Sequence, residues 1–136
     1  MLRLLMATGV ALACSSATDP TLSPDFSAKI GDPIQLHVGE AVEVAGGWTI
    51  GFSAVLSDSR CPSSVTCVWA GDGAVELMVR HGGTVVVDTL HTSLDPKGVT
   101  HESVVIQLTD LTPHPEIPGT IPMGEYVVTL STTVAE

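Results

Sequence analysis

From Ile30 onward, apolar residues recur at alternate positions, the period of a strand with one buried face. Ile34, Leu36 and Val38 alternate with Gln35 and His37, and Val42 and Val44 flank Glu43. Trp48, Ile50, Phe52, Ala54 and Leu56 form the longest alternation, with Thr49, Gly51 and Ser53 on the opposite side. Val65, Cys67 and Trp69 make a short stripe, and Val75, Leu77 and Val79 alternate with Glu76, Met78 and Arg80. Thr84 to Leu90 and Val104 to Leu108 are nearly continuous apolar chain, the pattern of central strands covered on both faces. Tyr126, Val128, Leu130, Thr132 and Val134 close a set of about eight predicted strands. No stretch carries a helical period long enough for a stable helix.

The turns fall where such strands need them. Asp72-Gly73 and Gly82-Gly83 are two-residue hairpin signals, because these residues tolerate positive φ, and Asp95-Pro96-Lys97-Gly98 is a wider turn. They predict an antiparallel meander through Val65–Trp69, Ala74–Arg80, Thr84–Leu90 and Ser103–Leu108. Leu111 to Gly124 contains Pro113, Pro115, Pro118 and Pro122, which excludes a central strand and predicts an ordered surface loop. The fold expected is an all-β antiparallel sandwich, with a small closed barrel as the alternative.

Composition agrees. The 136 residues include 18 valines and 15 threonines, β-branched side chains that suit a pleated surface. Their number suits one domain, placed at residues 30–136. The net charge of -10 repels phosphate, which argues against nucleic acid as a partner.

The N-terminus points to export. Met1-Leu2-Arg3 and the apolar run to Ala13 have the form of a signal peptide over residues 1–13, too short to cross a bilayer as a helix. Val10-Ala11-Leu12-Ala13-Cys14 resembles a bacterial lipobox, which makes Cys14 the expected lipidation site and the anchor to a membrane. Ser15 rather than Asp follows the cysteine, which by resemblance to lipoprotein sorting signals implies the outer membrane; a secreted or periplasmic chain is the alternative. Residues 14–29 are then the lipidated cysteine and a small, polar, proline-containing tether with a reach of roughly 20 Å. Lipidation of Cys14 leaves Cys61 and Cys67 as a pair, and in an oxidising compartment a disulfide is the economical reading.

Asp58-Ser59-Arg60-Cys61-Pro62 through Cys67-Val68-Trp69-Ala70-Gly71, with the later Leu111-Thr112-Pro113-His114-Pro115, resembles a group of small bacterial exported proteins and lipoproteins. That likeness spans Val44 to Val134 and implies location and fold rather than activity. Within the stretch, Trp69 is expected to pack over the disulfide and Arg60 to pair with Asp58 or another acid. Alternatively, Arg60, Pro62 and Trp69 form a binding loop for a protein partner, or Arg60 enters a protease pocket as an inhibitor would. His91 and His101 bracket the Asp95 turn and, in one hairpin register, would face each other as weak metal ligands in a periplasmic metal-binding protein. No nucleophile elbow, zincin motif, phosphate loop or dinucleotide turn is present, so neither an enzyme nor a cofactor is expected. The leading expectation is a lipid-anchored envelope module with a binding or structural role.

Overall fold

The computed structural model describes residues 26–136. The signal peptide, Cys14 and most of the tether lie outside the described residues. Nine strands follow in order: β1 (Phe26–Ala28), β2 (Ile34–His37), β3 (Ala41–Val44), β4 (Trp48–Asp58), β5 (Gly73–His81), β6 (Thr84–His91), β7 (Gly98–His101), β8 (Val104–Thr112) and β9 (Val127–Val134). They form two open sheets, β1-β3-β4-β5-β6 and β2-β9-β8-β7, so the fold is a sandwich and not a closed barrel. All pairings are antiparallel except β1 with β3. The sheet begins at Phe26, within the stretch assigned to the tether.

The core is the space between the inner faces. Val42, Ile50, Phe52, Val75, Leu77 and Leu90 meet Ile34, Leu36, Ile106, Leu111, Val128 and Leu130 there, all of them buried. Each contributes roughly 1.5–3 kcal/mol by leaving water. At one end Trp48 closes this core, its indole stacked on His81 at a ring separation of 4.0 Å.

Three departures from simple alternation matter. The long stripe of β4 changes phase at two irregularities in its pairing with β5, between Phe52 and Ala54 and between Val55 and Ser57. Val55 therefore faces the core and Leu56 the solvent, the reverse of the alternation in the sequence. Second, Val65, Cys67 and Trp69 belong to no strand; the segment between β4 and β5 is a loop. Third, the expected meander breaks after β6. Thr84–Leu90 is not a central strand but the sheet's edge, because the chain crosses at residues 92–97 to start β7 in the opposite sheet. β7 and β8 then make their own hairpin, in which Ile106 lies opposite Val99.

Thr132 sits among these apolar side chains on β9, wholly buried, and its hydroxyl has no hydrogen-bond partner among the described residues. An unpaired buried hydroxyl costs about 1–3 kcal/mol, and valine has the same shape without it. Thr132→Val is therefore expected to raise stability by about 1 kcal/mol in a denaturant titration. A loss of stability would show that the hydroxyl is satisfied.

Candidate functional site

The loop between Asp58 and Gly73 is built on a pinched neck. Its two arms bond to each other: Ser59 N–H donates to the Asp72 carbonyl at 2.7 Å, and Cys61 N–H to the Ala70 carbonyl at 2.8 Å. Gly71 makes the pinch possible. Its φ is +69°, and a β-carbon there would lie 1.8 Å from the Ser59 carbonyl oxygen. Above the neck, Cys61 and Cys67 form the expected disulfide, with α-carbons 5.9 Å apart. Closing so short a loop contributes about 2 kcal/mol on the chain-entropy estimate.

Arg60 secures the neck from beneath. Its guanidinium is buried and donates to both carboxylate oxygens of Asp58, from Nε at 2.8 Å and from Nη2 at 2.7 Å. Nη1 donates to the carbonyl of Leu111, near the end of β8 in the facing sheet, and Nη2 also to that of Pro113, just past it, at 2.8 Å. Tyr126, just before β9, donates its hydroxyl to Asp58 Oδ2 at 2.9 Å. One carboxylate and one guanidinium thus join the end of β4 to both central strands of the second sheet. The pairing of Arg60 with Asp58 is as expected, while its burial, at 8% exposure, means that Arg60 is not presented to a protease pocket.

A second carboxylate holds the neighbouring loop. Asp72 Oδ2 meets His91 Nδ1 at 2.6 Å, while Oδ1 accepts from the N–H groups of Ser93 at 2.9 Å and Leu94 at 3.3 Å. A third loop, residues 113–122, is tied to the disulfide segment. Ser63 and Ser64 N–H donate to the carbonyls of Pro115 and Glu116, and His114 Nε2 lies 2.8 Å from the Cys61 carbonyl.

Electrostatics follow this geometry. Burial raises the Asp58 carboxyl, but hydrogen bonds from Arg60 and Tyr126, with the adjacent guanidinium charge, outweigh it and hold the group below 3.8. Burial likewise raises Asp72, and His91 with the Ser93 and Leu94 amides brings it below 3.8. Tyr126 is pushed up to about 12, by burial first and then by its bond to the Asp58 anion. Both depressed carboxylates contribute stability that is complete above their unfolded value of 3.8 and is lost as pH falls through their lower folded values.

What this frame presents is apolar. Trp69 is 81% exposed and Val68 90% exposed, so the indole does not pack over the disulfide. The reason is local: residues 59–72 form turns rather than a strand, so Cys67 and Trp69 share no sheet face. Pro62 is half-buried at the base of the same loop. The histidines do not converge either. His91 ends β6 and is engaged by Asp72, whereas His101 ends the oppositely directed β7 and meets Asp88 on β6 at 2.6 Å. Among the described residues no group of three or more histidine, cysteine or acidic side chains is placed to hold a metal. No family model matches the sequence, and no curated protein and no solved structure is similar to it.

Sequence reasoning missed the parts played by Asp72 and Tyr126. Asp72-Gly73 has the composition of a hairpin turn, and nothing local marks its carboxylate as the cap for Ser93 and Leu94. Removing one partner of a buried ion pair costs about 3–5 kcal/mol, so Arg60→Met is expected to lose stability on that scale. Trp69→Ala is expected to stay within about 0.5 kcal/mol of the parent, as an exposed side chain should. Denaturant titration checks both, and the reverse order would contradict this description of the loop.

Proposed function

We propose that this chain is a lipid-anchored module of the bacterial cell envelope that binds a protein partner through the tip of its disulfide loop. The observation carrying this reading is the exposure of Val68 and Trp69 on a loop held by a disulfide and by the buried Arg60. A large aromatic side chain displayed in water gains most when a partner covers it, and tryptophan is enriched among residues that dominate binding energies. Bracing strengthens the argument, because a loop already fixed loses little conformational entropy on association. The disulfide suits an oxidising compartment, in keeping with export, and the lipobox-like stretch ending at Cys14 supplies the anchor.

Two measurements test the two halves. Radiolabelled palmitate fed to the producing bacterium should label the wild-type chain and not Cys14→Ser, and equal labelling of both would overturn the anchor. A photo-crosslinking amino acid at position 69 should give a discrete protein adduct in the intact envelope, whereas the same group at Ala45, in the exposed β3–β4 turn away from the sheet edges, should not. Absence of an adduct at position 69 would overturn the binding site.

A further inference from the structure

Four strands stand at sheet edges. β1, β2 and β7 have 3, 4 and 4 residues, too short to template much pairing, but β6 has 8 and runs beside β5 without an irregularity. The hairpin sets which of its backbone groups are free. His81 and Thr84 flank the two-residue turn Gly82-Gly83, so they form a hydrogen-bonded pair. Alternate residues Val86, Asp88 and Leu90 then also bond to β5, and Val85, Val87, Thr89 and His91 turn their N–H and C=O groups outward. His91 agrees, since its N–H donates away from β5 to the Pro96 carbonyl at 3.0 Å. Val85, Val87 and Thr89 have no outward backbone partner among the described residues. Val85 and Val87 are 50% and 55% exposed, and the strand has no lysine, proline or bulge of the kind that protects an edge.

We propose that two copies of this chain join through β6, antiparallel about a two-fold axis at Val87, so that their larger sheets become one continuous sheet. The charge pattern selects a second copy as the occupant. A chain of net charge -10 repels itself over most of its surface, yet β6 carries one acid, Asp88, and His101 already engages it at 2.6 Å. The two-fold axis sets Val87 against Val87 of the second copy, Val85 against Thr89 and Val86 against Asp88, so no like charges face each other. The outward groups of Val85, Val87 and Thr89 find matching donors and acceptors in this register. The contact is independent of the lipid anchor and of the Trp69 loop.

Sedimentation equilibrium of the full-length chain in density-matched detergent tests it. The wild type is expected to show twice the chain mass. Val87→Pro is expected to show the mass of one chain with an unchanged circular dichroism spectrum, because the Val87 N–H faces away from β5 and its loss costs no bond within the molecule. Val87→Lys, which keeps the backbone intact, is expected to do the same should the proline variant unfold. A monomeric wild type would overturn the proposal. So would a dimer that survives folded Val87→Pro or Val87→Lys, or a mass that grows without limit, since β6 offers one edge per copy.

Discussion

The bond between the Asp58 carboxylate and the Arg60 guanidinium is the constraint on which the rest of this end of the molecule depends. A buried charge needs a partner and hydrogen bonds; here each group is the other's partner, and Tyr126 and two backbone carbonyls supply further bonds. The guanidinium geometry matters, because the same planar group that grips one carboxylate also reaches two backbone carbonyls from the facing sheet. Lysine could not make that set of contacts. With the neck secured in this way, the cap above it is free to be made of residues, from Ser63 and Ser64 to Val68 and Trp69, that bury almost nothing.

This division of labour explains how one short loop is both ordered and exposed. Its order comes from the neck, the disulfide and the amide bonds to residues 115 and 116, not from packing of Val68 and Trp69. Side chains that contribute nothing to the fold are available to bind, which is the physical content of the proposed function. The β6 edge has a similar character: its valines are β-branched and suit a strand, but the inner face of the sandwich does not reach them.

Much of the sandwich was legible in the residues because a half-buried strand leaves a period of two. That period located β2, β3, β4, β5 and β9, and the inward positions Ile50, Phe52, Val75, Leu77, Val128 and Leu130 are buried as it implies. It failed where apolar character has another cause. Thr84–Leu90 has the composition of a central strand, yet its position in the sheet is decided by the crossing at residues 92–97, which no local pattern reveals. The Val65-Cys67-Trp69 stripe is an accident of spacing within turns. At the site, Arg60 and Asp58 are two residues apart and their pairing was apparent, as was the disulfide. Tyr126, Leu111 and Pro113 complete the arrangement from more than fifty residues away, and only the fold brings them there.

Tyr126 also offers the most direct test of the central claim, because it is the single tyrosine of the chain. A phenol in water ionises near 10, and this one is held up to about 12 by burial and by its bond to the Asp58 anion. A raised value stabilises the fold fully below the unfolded pKa of 10, and that contribution is lost as pH rises towards 12. Tyrosinate absorbance should be followed against pH together with near-ultraviolet circular dichroism, which reports whether the chain is still folded. Ionisation at about 12 in the folded protein is the result this account requires. Ionisation at the ordinary value of 10.0, with the fold intact, would mean that the Asp58–Arg60–Tyr126 arrangement does not exist.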